Sequence, residues 1–181
     1  MTAYRRRRVP GGTYFFSLRL ARPGSAELVD QIDRLRAAYG VTCRERPFVT
    51  EAAVVLPDHL HAIWTLPPGD CDFSTRWRLI KTRFTRSLGR KAPRGQSQEC
   101  KQECGVWQRR FWEHVIRDEE DMNLHLRYCW MNPVRHGLVS RAEDWPYSSL
   151  HRDMRSGRVP ADLCGRAKVP ENVPAEMCFG E

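Results

Sequence analysis

Two rhythms of apolar residues take turns along the chain, one of period two and one close to the helical repeat. From Thr13 to Leu20 the run Thr-Tyr-Phe-Phe-Ser-Leu-Arg-Leu has the β-branched and aromatic content of a strand, launched from the Gly11-Gly12 turn. Between Ser25 and Tyr39, Leu28, Ile32 and Leu35 recur at helical spacing, and Gly40 offers a stop. Phe48 to Leu56 reads as a second strand. Pro57-Asp58 makes a turn, and His59 to Leu66 returns antiparallel until Pro67-Pro68-Gly69 ends it. A helix is predicted from Phe73 to Leu88, with Trp77, Ile80, Phe84 and Leu88 along one face. Residues 89–105 read as a loop and Trp107 to Arg117 as an aromatic strand. Asp118 then starts a helix whose first turn carries Glu119, Glu120 and Asp121 against the helix dipole. That helix is expected to reach Asn132, where Pro133 opposes continuation.

This order of elements predicts an α+β domain, best matched by a ferredoxin-like antiparallel sheet with helices packed on one face. Beyond Trp145-Pro146 the chain turns Pro- and Gly-rich. The expectation is one domain over residues 1–150 and a loose C-terminal tail over 151–181 that contacts DNA.

The 181 residues suffice for a core without covalent staples, since a chain of this size buries roughly 70% of its unfolded surface. No apolar run approaches the roughly 20 residues of a membrane span. The N-terminus lacks the apolar stretch of a secretory signal, so a cytoplasmic protein is expected. The seven cysteines fit that compartment as reduced thiols. Cys100 and Cys104 are the one close pair, and a zinc site would need a second half that the sequence does not offer.

Charge narrows the partners. The net charge is +8, and it is segregated: no acid lies between Asp72 and Glu99, where Arg76, Arg78, Lys81, Arg83, Arg86, Arg90, Lys91 and Arg94 fall. Arg5, Arg6, Arg7 and Arg8 form a second cluster. Such fields attract polyanions, chiefly nucleic acid, although a merely solvated basic face has the same composition.

The sharpest local feature is His59-Leu60-His61. On a strand, residues two apart share a face, so both imidazoles project together and can ligate a divalent metal. Two ligands do not make a site, and an accidental pair on an exposed face remains the alternative. On the later helix, His125, Tyr128 and Asn132 fall on one stripe. A nucleophile beside a third ligand would look like this, and so would a tyrosine that only packs.

Four blocks of sequence together are more specific. They are Pro57-Asp-His-Leu-His-Ala-Ile-Trp, Trp107-Gln-Arg-Arg-Phe-Trp-Glu-His, Tyr128-Cys-Trp-Met-Asn-Pro-Val-Arg-His-Gly-Leu-Val and Asp144-Trp-Pro-Tyr-Ser-Ser. In this order, from about Tyr4 to His151, the chain resembles the REP-associated tyrosine transposases of the HUH endonuclease superfamily. The resemblance implies a ferredoxin-like fold and Mg2+ or Mn2+ held by His59 and His61, with Asn132 where relatives carry a polar third ligand. It implies that Tyr128 attacks a DNA phosphodiester, leaving the 5′ phosphate on the tyrosine and freeing a 3′ hydroxyl. It implies single-stranded hairpin DNA as partner and a monomer as the working unit. Relatives often carry a second tyrosine two residues on; here Trp130 stands at that position.

Under that reading Arg5 to Arg8, Arg78, Lys81, Arg83 and Arg86 are expected to contact the DNA backbone. Arg109, Arg110 and Arg135 join them, with His136 close by. Trp107, Phe111 and Trp112 are candidates for base stacking or for core packing. Two rivals carry different expectations. A catalytically silent hairpin-binding protein would lack part of the metal and tyrosine set, whereas this chain has all of it. A water-activating metallonuclease would want several carboxylates, and Asp58 is the one acid beside the histidine pair.

Overall fold

The computed structural model of the protein describes residues 7–89 and 105–159. Four strands, β1 (Thr13–Arg19), β2 (Val49–Val55), β3 (His59–Thr65) and β4 (Trp112–Val115), form an antiparallel sheet in the order β2-β3-β1-β4. Helices α1 (Glu27–Asp30) and α2 (Ile32–Glu45) lie between β1 and β2, α3 (Phe73–Ser87) follows β3, and α4 (Glu119–Arg135) follows β4. A 3-10 turn at Ala142–Asp144 and helix α5 (Leu150–Arg155) complete the described chain. Among the described residues no helix is long and apolar enough to cross a membrane.

Strand alternation gives the sheet two apolar faces, each with its own cover. Tyr14, Phe16 and Leu18 of β1 join Leu60, Ala62 and Trp64 of β3 on one face and pack against α2 and α3. There the Trp64 ring stacks on Trp77 with centroids 4.0 Å apart. Phe15, Ala52, Val54 and Ile63 point the other way and pack against Leu126, Tyr128 and Cys129 of α4. The expectation of helices packed on one face holds for α2 and α3. The tyrosine-bearing helix is set apart from them on the opposite face.

Several boundaries differ from the sequence expectation. α2 does not stop at Gly40 but runs to Glu45, because Leu35, Ala38 and Thr42 form one buried stripe across it. Burying that stripe outweighs the roughly 1 kcal/mol a mid-helix glycine costs. α4 passes through Pro133 to Arg135, closing with His136 N–H on the Asn132 carbonyl at 3.1 Å and Leu138 N–H on the Pro133 carbonyl at 2.9 Å. A proline this near a helix end removes one bond without ending the turn. Of the strand expected over 107–117 only Trp112–Val115 enters the ladder, and Trp107 bridges Leu20 alone.

The tail expected from residue 151 begins instead as ordered structure. Val55 N–H donates to the Tyr147 carbonyl at 2.9 Å and Ser149 N–H to Ala53 at 2.7 Å, pinning this segment to the free edge of β2. α5 follows, anchored by Asp153, which is 1% exposed and accepts from Trp130 Nε1 at 3.1 Å. The remainder of that tail, 160–181, lies outside the described residues, as do Arg5, Arg6, Cys100 and Cys104.

Candidate active site

The β1–β3 register places Phe15 opposite Ile63, Ser17 opposite His61 and Arg19 opposite His59. Cross-strand partners share a face, so these side chains all project toward α4. His59 and His61 are buried, at 5% and 3% exposure, with ring centroids 5.2 Å apart. Phe15 stacks beneath His61 at 5.4 Å and meets the Tyr128 ring edge-on at 5.7 Å.

From above, α4 supplies the rest. Its start is set by Asp118, whose carboxylate accepts Asp121 N–H at 2.8 Å, and by three acids in the first turn. That phase turns Tyr128 inward, its ring 5.1 Å from His61 and nearly perpendicular to it. Asn132, one turn later, is fully buried and its amide lies against His59. Arg135 reaches back over the Tyr128 ring, 5.1 Å from its centroid. His136, exposed at the end of α4, has its ring 4.8 Å from that of His59.

The β2–β3 turn fixes one imidazole. Asp58 Oδ1 lies 2.7 Å from His59 Nδ1, and Asp58 Oδ2 accepts Gly24 N–H at 3.0 Å. An ionised carboxylate only accepts, so Nδ1 carries the hydrogen and Nε2 presents its lone pair to the site. Burial works against the Asp58 charge, yet the bonds from His59 and Gly24 hold its carboxyl below the usual range. Burial pushes both histidines toward the neutral form: His59 downward against the opposing pull of Asp58, and His61 well below its ordinary value.

These residues fit a divalent cation. Among the described residues both ring nitrogens of His61 are buried with no hydrogen-bond partner, and the buried Asn132 amide faces His59 without a well-formed hydrogen bond. Such groups are costly unless something satisfies them. Neutral imidazoles and an amide oxygen are lone-pair donors, and Asp58 behind His59 is the carboxylate support that metal-binding histidines commonly have.

A second polar cluster lies under the N-terminal half of α4. His114 Nε2 is 2.8 Å from Asp121 Oδ2, and His125 Nδ1 is 3.0 Å from Asp121 Oδ1 and 2.7 Å from its carbonyl oxygen. The candidate ligand atoms of this His/Asp group lie within 4.8 Å of one another. It ties β4 to α4, and Phe15, 4.8 Å from the His125 ring, separates it from Tyr128.

The basic residues named from the sequence are dispersed. Arg78 and Arg86 are exposed on α3, across the sheet from Tyr128. Lys81 donates to the Gln108 carbonyl at 2.8 Å, and Arg83 bonds Thr42 and pairs with Glu45. Arg7 and Arg8 precede the end of β1 farthest from His59. Arg109 and Arg110 are exposed beside the nearer end, where Gln108 N–H bonds the Arg19 carbonyl. Among the described members of the set, Arg135 is the one that lies over the Tyr128 ring. Trp107 and Phe111 pack into the core, Trp107 against Phe84 and Phe111 against Phe16.

Sequence reasoning passed over the orienting role of Asp58 and the Phe15 platform. Strand periodicity held the signal for Phe15, which shares the face of β1 that Ser17 turns toward His61.

No family model matches the chain. Curated relatives do: it is 46% identical to a REP-associated tyrosine transposase of Escherichia coli over 91% of this chain and 92% of the relative. It is 43% identical to a putative REP-associated tyrosine transposase of Haemophilus influenzae over 91% of this chain and 94% of the relative. A solved structure of a REP-associated tyrosine transposase bound to a REP hairpin is 44% identical, with a TM-score of 0.81, covering 94% of this chain and 96% of that one. At this identity, over nearly the whole length, the chain belongs to the REP-associated tyrosine transposases.

Proposed function

We propose that this protein is a metal-dependent endonuclease and strand transferase for single-stranded hairpin DNA of the repetitive extragenic palindrome type, with Tyr128 as nucleophile. The observation that carries the reading is the meeting of Tyr128 with His61, a buried imidazole whose two nitrogens have no partner among the described residues. The sheet order β2-β3-β1-β4, with α2 and α3 on one face, supports assigning the ferredoxin-like fold.

His59 through Nε2, His61 and the Asn132 oxygen are the ligands we assign to Mg2+ or Mn2+. When bound there, the ion draws charge from a phosphate oxygen and orients the diester for in-line attack. Phe15 and the packing of α4 hold the Tyr128 ring against the histidines. Phenols ionise near pH ~10, so a tyrosine nucleophile gains from a nearby cation, and Arg135 lies over this ring. The Tyr128 hydroxyl oxygen forms the new bond to phosphorus as the bond to the 3′ oxygen breaks. The 5′ phosphate stays on the tyrosine, and the freed 3′ hydroxyl can reverse the step.

Every ligand and the nucleophile come from one chain, which supports a working monomer. The free thiols of Cys43, Cys71 and Cys129 support a cytoplasmic setting. The test is a denaturing gel of end-labelled hairpin with its flanking single strand, against the same sequence as full duplex. Metal-dependent cutting of the hairpin beside the stem foot, with the duplex left whole, is expected. A folded protein that binds the hairpin and never cuts it would be the catalytically silent binder instead.

A further inference from the structure

We infer that Arg19 is the residue that grips the scissile phosphate from the sheet side of the Tyr128 site. This rests on the function proposed above and adds a residue to it. Arg19 ends β1 opposite His59, two positions beyond Ser17, which faces His61. Its flanking residues Leu18 and Leu20 are buried on the other face, so the strand period directs Arg19 toward α4. Leu20 N–H donates to the Asp58 carbonyl at 2.7 Å, so the backbone beside Arg19 is tied to the turn that carries Asp58 and His59.

The side chain is half-buried, and among the described residues its guanidinium makes no hydrogen bond and no ion pair. The neighbouring carboxylate does not satisfy it. Asp58 holds His59 with one oxygen and Gly24 N–H with the other. A partly desolvated guanidinium opposite His59, without a carboxylate partner among the described residues, is a place for an anion. Its planar fork of donors matches two oxygens of one phosphate. Arg135 over the Tyr128 ring closes the site from the helix side, so the diester would lie between two guanidiniums.

In the step itself Arg19 forms and breaks no covalent bond. The Tyr128 oxygen bonds to phosphorus while the 3′ oxygen departs. One proton leaves the phenol to solvent, and one is taken up by the 3′ oxygen. Arg19 donates N–H bonds to the non-bridging oxygens throughout, and its hold is firmest when phosphorus carries both entering and leaving groups. Arg19 is thus a catalytic residue distinct from the backbone-gripping cations, and its loss affects rate more than binding.

The experiment measures single-turnover cleavage and hairpin affinity for the full chain and for Arg19→Ala, Arg19→Gln and Arg19→Lys. The substrate is a synthetic hairpin carrying either an ordinary phosphate or a charge-free methylphosphonate at the scissile position. Arg19→Ala and Arg19→Gln should cut the ordinary diester on the order of 10²-fold more slowly, with hairpin affinity nearly unchanged and Arg19→Lys in between. The methylphosphonate should slow the native protein far more than it slows Arg19→Ala, because the lost oxygen charge is the one Arg19 meets. Native rates in Arg19→Ala overturn the inference. So does a slowed variant that keeps the full methylphosphonate penalty, which marks a structural role, or one that loses affinity in step with rate, which marks a backbone grip. If the native protein forms no covalent adduct, the nucleophile reading fails instead, independently of Arg19. Should Arg19→Ala not fold, the Gln and Lys variants carry the same comparison.

Discussion

Asp58 gives a prediction whose size the structure sets. Its carboxylate holds the Nδ1–H of His59 at 2.7 Å, and only 16% of that side chain is exposed. Solvent therefore screens the interaction little, and the bond fixes both the tautomer and the ring angle of one proposed ligand. Carboxylates in this position behind metal-binding histidines are worth roughly 10–100-fold in metal affinity, or about 1.4–2.8 kcal/mol. Asp58→Ala removes that support and the Gly24 bond together, so it should weaken Mn2+ binding by the full range. Asp58→Asn keeps one acceptor for His59 but loses the charge, and should fall between. Calorimetric titration of metal-free protein with Mn2+, without DNA, reads this directly, and a thermal melt separates local loosening from unfolding. Wild-type Mn2+ affinity in a well-folded Asp58→Ala protein would refute the orienting role and the tautomer assigned to His59.

Two further outcomes follow from buried groups. His59, His61 and His125 are all pushed down by burial, so the folded chain resists protons that an unfolded imidazole accepts near pH ~6.5. Their contribution is complete above that value and is lost as pH falls toward the folded-state values. Urea melts of metal-free protein should therefore show stability dropping between about pH 7 and 5.5, above the window in which carboxylates titrate, and a flat or rising profile would contradict the assignment. Asp153→Ala strands the Trp130 N–H inside the core and should cost about 1–3 kcal/mol in the same melts, whereas Asp153→Asn, which keeps an acceptor, should cost less.

Much of this arrangement was legible in the chain because it rests on local periodicity. Alternate residues of one strand share a face, so His59 and His61 could be paired without coordinates, and a helical repeat put Tyr128 and Asn132 on one stripe. What stayed hidden depends on register between distant segments. Arg19 reads as an ordinary strand arginine until β1 is laid against β3 and it falls opposite His59. The placement of α4 on the opposite face from α2 and α3 is a tertiary choice, made by Phe15, Val54 and Ile63, that hydrophobic spacing alone does not announce. Clustered charge misleads for a related reason. The acid-free stretch on α3 looks like one DNA track, but Arg76 is buried and bonded to Asp70 and three carbonyls, and Arg83 pairs with Glu45. A basic residue count cannot distinguish a charge turned inward from one left for a phosphate.

Tyr128 is expected to become covalently joined to DNA. Trypsin cuts after Arg127 and after Arg135, giving a peptide that runs from Tyr128 to Arg135 with Tyr128 as its single tyrosine. Protein incubated with hairpin DNA and Mg2+ is denatured, digested with nuclease and trypsin, and analysed by tandem mass spectrometry. The expected product is this peptide carrying a nucleotide through a phosphodiester on the Tyr128 oxygen, absent without metal and absent in Tyr128→Phe, which still binds the hairpin. Cleaved hairpin with the peptide unmodified, or an adduct mapped to any other residue, would contradict it.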